Sequence, residues 1–330
     1  MRDVAEVYRS PTALNVAPGC THMSVLPVAG VRLFLRRLAQ KDLGFAPSPS
    51  ATLLPLLTAA TLGKGCEWLQ PCVEVGFELL PPNSASSAPR PALLAGDEPR
   101  SPRRFLVAQV KEAITKSAIL IGVPRSIELA VKLGDFLDEE DLGKPFVRQT
   151  LEEEGASVAD LGQNGLAGLR TVYKENLDDI FANFSKLGLE DIRELPASFS
   201  QKTYGWQDAS LRSISSQLTH RSHVGFMSQY ITYGTFLTPS GSDRGGHLDP
   251  LASDPRLLSI VTLSTLVPQR TEREILWHLR GAIRRGWTRA EVERLQSSIE
   301  KVAAACGVED IGKGMPRVSD VEPQPEEKNR

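Results

Sequence analysis

Cysteine is scarce in this chain. There are four, Cys20, Cys66, Cys72 and Cys306, scattered over 330 residues. That usage excludes a secreted disulfide scaffold and points to reduced thiols and a cytoplasmic location. No Cys-x-x-Cys occurs: Cys66 and Cys72 are separated by five residues, with Pro71 between them. A dithiol redox reaction therefore lacks its usual resolving partner. No run of about 18 apolar residues is present, so no membrane span is expected. A formal net charge of −2 gives no electrostatic reason to expect a nucleic-acid partner. His220 and His223 have metal-like i, i+3 spacing, but no third ligand stands nearby and His247 completes nothing. No metal site is expected. Period-two alternation is nearly absent, and with it the case for β-strands.

What remains is helical. Hydrophobic residues make up 41% of the chain and charged residues 24%, an ordinary globular balance able to bury a real core. The expected fold is all-α, divided into five stretches. Residues 1–50 read as a leader with one helix near Val28–Leu38. Residues 51–140 form a first helical module, interrupted by a Pro-rich mobile loop over 81–104. Residues 141–210 carry connecting helices, including one over Gly165–Gly188, and 211–312 form a second helical module. The Pro- and Glu-containing tail, 313–330, is expected to be disordered. Between Val7 and Gln40 the charged residues are all basic, a transit-peptide pattern that makes a mitochondrial destination the alternative to the cytoplasm.

Local signals agree best over Thr271–Glu293. Ile275, Leu276, Leu279, Ala282 and Ile283 recur at helical spacing and define one apolar face. Gly286, after Arg284-Arg285, suits a left-handed C′ position, and Thr288 with Glu291 predicts a capping box opening the next helix. His278 falls on the flank of the apolar face. Glu274 stands one turn back, where a carboxylate orients an imidazole and raises its pKa. Gly281 and Ala282 stand one turn ahead and leave room beside the ring.

His278, Gly281-Ala282, Gly286, Thr288 and Glu291, in HLRGAIRRGWTRAEV, resemble the core motif of the carboxymuconolactone decarboxylase-like family, within the AhpD-like all-helical superfamily. A second match lies upstream: Glu112, Gly122 and Pro124, in EAITKSAILIGVPR, are similar to that family's Glu-bearing helix and Gly-x-Pro turn. The halves of the motif stand in different parts of the chain, which implies two degenerate copies of one module, roughly 50–140 and 215–312. The chain departs from the pattern too. The first copy lacks the His/Gly-Ala half, and the second ends in Ala305-Cys306-Gly307-Val308 with no Pro.

The resemblance implies an often oligomeric enzyme without a cofactor, acting on a small cyclic or aromatic carboxylic acid by decarboxylation or a related proton transfer. Removing a carboxylate leaves electron density to be held as an enolate or protonated at carbon, and a histidine suits that step. On this reading His278 is the general acid/base oriented by Glu274, and Glu112 is a second proton-transfer group. Arg280 or Arg125 anchors the substrate carboxylate beside Gly281 and Ala282. A solvated helix face is the bland reading of Glu112. Core packing is the bland reading of Phe226, Tyr230, Tyr233 and Phe236, with the wall of an apolar pocket as their functional one. Two alternatives stand beside the decarboxylase-like enzyme: a peroxiredoxin-type reductase using single cysteines, and a non-catalytic helical scaffold.

Overall fold

The computed structural model describes residues 28–39, 49–80, 102–138, 141, 158–179, 227–238, 249–252, 254–325 and 327. Its elements are α1 (Val28–Arg37), a 3-10 turn (Pro49–Thr52), α2 (Leu53–Thr61), α3 (Gly65–Glu78), α4 (Pro102–Ile121) and α5 (Val123–Phe136). These are followed by α6 (Val158–Tyr173), a π-helix (Met227–Leu237), α7 (Arg256–Gln269), α8 (Glu272–Arg284), α9 (Arg289–Ala305) and a closing 3-10 turn (Val318–Asp320). The fold is all-α, with no strand among the described residues. None of their helices is long and apolar enough to cross a membrane.

Two helices without a polar face form the centre. Every residue of α2 is buried, and so is the whole of α7 from Leu257 to Val267. A helix apolar all round has to be enclosed on every side, and α2 and α7 pack on each other with α3, α4 and α9 around them. Leu53, Leu57, Val261 and Leu263 are fully inaccessible, and each such side chain stabilises the fold by roughly 1.5–3 kcal/mol relative to exposure. The two stretches expected as separate modules thus contribute to one hydrophobic core. On the outside of α3 lies α1, held by an Arg36–Glu78 pair at 2.7 Å and by the edge of Phe34 against Trp68, centroids 6.0 Å apart.

The chain turns where its sequence calls for it. Gly122 and Gly286 adopt φ of +94° and +107°, a region costly for residues with a Cβ. At Thr288 the capping box forms, with the hydroxyl accepting from the Glu291 backbone N–H and the Glu291 carboxylate accepting from Thr288 N–H at 2.8 Å.

A smaller cluster of Leu169, Val172, Leu177, Tyr233, Leu237 and Leu258 joins α6 and the π-helix to the main body. The approach of α6 depends on Gly162, Gly165 and Gly168. A Cβ at Gly165 would stand 1.8 Å from the Gln229 carbonyl oxygen, and one at Gly168 would stand 2.0 Å from Thr238 Oγ1. Gln229 Nε2 in turn donates to the Gly162 carbonyl at 2.8 Å.

Several boundaries differ from expectation. Helix α4 begins at Pro102, inside the stretch expected as a loop, and 81–101 lie outside the described residues. Helix α6 starts at Val158 rather than Gly165. The tail is the largest correction. Far from disordered, 313–325 lie along α8 and α9 with Val318 and Val321 buried. Basic side chains hold it there: Arg280 pairs with Glu322 at 2.6 Å, Arg284 donates to Gln324 Oε1 at 2.9 Å, and Arg289 donates to the Val318 and Val321 carbonyls. Its polar composition hid this, because the partners are supplied by distant helices. His220, His223, Phe226, His247, Cys20, Phe181 and Phe184 lie outside the described residues.

Candidate functional site

Helix α8 carries two acidic residues, Glu272 and Glu274, in its first turn and Arg284 in its last, which suits the helix dipole at both ends. Ile275, Leu279, Ala282 and Ile283 bury one face completely. At helical spacing, His278, Gly281 and Arg285 form an adjacent stripe. Gly281 on that stripe faces Val172 of α6, whose methyl carbons lie 3.4 and 3.5 Å from where its Cβ would be.

His278 is 5% exposed. Its Nε2 meets the hydroxyl of Tyr233, on the π-helix, at a long 3.4 Å. Tyr233 in turn lies against Tyr173 of α6, with ring centroids 6.3 Å apart. Tyr173 also sets its ring edge-on to Trp277 at 5.0 Å and to His278 at 6.5 Å. Burial pushes both phenols up. The neighbouring Tyr233 raises Tyr173 further, whereas Tyr233 is eased downward by the nearby charge of Arg285 and by its contact with Tyr173. With the ring neutral, one imidazole nitrogen carries the proton and the other accepts, and Nε2 is the one that faces the Tyr233 hydroxyl. Nδ1 is enclosed and has no hydrogen-bond partner among the described residues.

The expected role of Glu274 needs correction. Burial, and secondarily the charge of Arg285, push His278 down to about 3, so the ring is neutral at neutral pH. A carboxylate partner would have raised it. Glu274 acts electrostatically on Tyr173 instead. Arg285, expected only as part of the basic last turn of α8, is half-buried as a residue, yet its Nη1 is enclosed with no partner among the described residues. Its guanidinium is pushed down by burial and supported only by the two tyrosines.

The other expected site residues lie elsewhere. Ala282 is fully inside the main core. Arg280, buried, spends Nη2 on Glu322. Arg125 is exposed and donates to the Thr61 carbonyl at the end of α2. Neither arginine shares the stripe of His278.

Glu112 is not on a solvated face. It is 3% exposed and pairs with Lys116 at 3.3 Å. Lys116, itself 1% exposed, also pairs with Asp249 at 2.9 Å and donates to the Phe236 carbonyl at 2.7 Å. Asp249 further accepts from Leu251 N–H at 2.8 Å. Glu112 and His278 therefore address the same π-helix, one through Lys116 at its C-terminal end and the other through Tyr233. The i, i+4 placement of Lys116 after Glu112 was a readable signal. Nothing in the sequence announced Asp249.

Comparison with family models, curated proteins and solved structures finds no match. The chemistry is therefore carried by the site's own geometry. Among the described residues no group of three or more His, Cys, Asp or Glu side chains could hold a metal. The described thiols are poor nucleophiles: burial pushes Cys72 well up, pushes Cys306 up to about 12, and raises even the exposed Cys66.

Proposed function

We propose that this chain is a carboxymuconolactone decarboxylase-like enzyme acting on a small cyclic or aromatic carboxylic acid, with His278 as its proton donor. One observation carries the reading: Tyr233 meets His278 Nε2 while the ring's Nδ1 is enclosed with no partner among the described residues, and where Tyr233 donates to Nε2 that Nδ1 is an N–H donor. A buried donor left unpaired costs free energy, and a substrate oxygen or carbanion carbon at that point would satisfy it.

The imidazole works in its neutral form. As the bond to the departing carboxylate breaks, CO2 leaves and its electron pair stays on the substrate. Nδ1 gives its proton to that carbon while Nε2 takes the proton of Tyr233. Tyr233 is replenished from Tyr173, and the half-buried Tyr173 from solvent. The raised phenols favour a concerted shift in which no phenolate accumulates. A neutral histidine, unlike an imidazolium, is already in its donating state across the physiological range.

The scaffold reading has one observation in its favour, the near-complete closure of His278. The reductase reading has the raised thiols against it. To decide, small cyclic and aromatic carboxylic acids are incubated with the protein in D2O, following CO2 release and deuterium at the α-carbon by NMR. Wild type is expected to turn over a member of the set, with kcat reduced on the order of 100-fold or more in His278→Ala and less in Tyr233→Phe. Turnover that persists in a folded His278→Ala variant overturns the assignment, and no exchange anywhere in the set favours the scaffold.

A further inference from the structure

The site contains a cation with no ion-pair partner among the described residues. Arg280 has Glu322, Arg289 has Glu327, and Arg317 has Glu293 and Glu300. Arg285 alone on the His278 stripe has an enclosed Nη1 with no partner and no carboxylate among the described residues to pair with it. An arginine so placed is costly to the folded protein. It is also well suited to a ligand, because the guanidinium matches a carboxylate in shape and charge.

The neighbourhood makes this more than a stray arginine. Gly281 lies between His278 and Arg285 along the stripe, and a Cβ there would come within 3.2 Å of Arg285 Nη1. The missing side chain lets that nitrogen lie close against α8. His278 feels the charge of Arg285 and adds a second polar atom without a partner among the described residues, Nδ1. Val172 and the rings of Tyr173 and Tyr233 supply the surrounding surface.

We infer that Arg285 is the carboxylate anchor of this site, taking one oxygen of a planar monocarboxylate on Nη1 while His278 Nδ1–H takes the other. The inference rests on the reading of His278 given above and replaces Arg280 and Arg125 in the role expected for them. Arg285 is a binding residue here, and the carbon bearing the carboxylate is brought beside the proton donor. The ring of the ligand lies toward Tyr173 and Tyr233.

The test uses benzoate as the probe and benzamide as its uncharged counterpart, with binding followed by calorimetry and Trp277 emission. Wild type is expected to bind benzoate saturably and benzamide at least about tenfold more weakly. Arg285→Met loses the preference for benzoate, Arg285→Lys keeps part of it, and Gly281→Ala weakens it. A structural arginine would give the same loss by misfolding, so melting temperature is read alongside. Removing an unpaired, partly buried cation leaves Arg285→Met melting as high as wild type or higher. Benzoate binding unchanged in Arg285→Met, a preference lost only together with a lowered melting temperature, or no benzoate binding by wild type overturns the inference. The two readings fail separately. If Arg285→Met loses benzoate but a folded His278→Ala still turns substrate over, the anchor stands and the proton donor falls; the reverse pattern removes Arg285 alone.

Discussion

At the scale of single residues, His278 behaves as burial dictates. Its folded-state value of about 3 lies below the ordinary 6.5, so the unfolded chain takes up a proton on this ring well before the folded one does. The stability linked to it is fully present above pH 6.5 and is lost as pH falls from there toward 3. Between pH 7 and pH 5 the loss amounts to about 2 kcal/mol from this group alone. His278→Gln should remove that component. Urea unfolding at both pH values should show a smaller difference for the variant than for wild type, and equal slopes would mean the imidazole is solvated. The residue-scale error in the sequence reading has the same origin. Helical spacing places Glu274 one turn from His278, but a side chain's partner is set by what packs on the helix. Here that is Tyr233 and Tyr173, which are far from it in sequence.

At the scale of elements, the pairing of α6 with the π-helix decides whether Tyr233 reaches His278. That pairing is written in Gly162-x-x-Gly165-x-x-Gly168, a stripe of small residues one helical turn apart. Gly165→Ala places a methyl group 1.8 Å from the Gln229 carbonyl oxygen, which backbone cannot yield without moving the two helices apart. The variant should be destabilised by roughly 1–3 kcal/mol, the usual cost of overpacking, and should lose the Tyr233–His278 contact. Thermal melts and the 15N shift of the His278 ring check both effects, and a fully stable Gly165→Ala would show that the helices do not touch as described. Other element-scale features were legible. The Thr288–Glu291 capping box, the left-handed Gly286 and the start of α5 beside Gly122 and Pro124 all involve neighbours in sequence, and all formed as expected. The glycine stripe was equally visible but has no meaning until a second helix is laid on it.

At the scale of the whole molecule, Lys116 ties together parts of the chain far apart in sequence. It joins Glu112 of α4, the Phe236 carbonyl at the end of the π-helix and Asp249 beyond it. All three charged side chains are buried, so the cluster depends on every member. Lys116→Met removes the buried cation that pairs with both Glu112 and Asp249 and is expected to cost about 3–5 kcal/mol. Adding Glu112→Gln should recover part of that loss, because one of the stranded charges is then gone. A double variant no more stable than Lys116→Met, in denaturant titrations of both, would show that Glu112 is not coupled to the lysine. This arrangement also explains why the solvated-face reading of Glu112 fails: a carboxylate in the middle of an amphipathic helix looks solvated on a helical wheel. Only the arrival of Asp249 and the π-helix encloses it.

The sequence by itself determined the all-α class, the run of helices through the core, their caps and turns, and the presence of His278 on the flank of α8. These depend on periodicity, on propensity and on hydrogen bonds within a few residues, all of which are local. The tertiary structure decided the rest. It made His278 neutral by enclosing it, exchanged Glu274 for Tyr233 as its partner, left Arg285 without an anion among the described residues, gave Glu112 a buried lysine, and folded the tail onto arginines of α8 and α9. Each of those outcomes turns on desolvation and on charges brought together from distant parts of the chain, and neither quantity exists until the helices have packed.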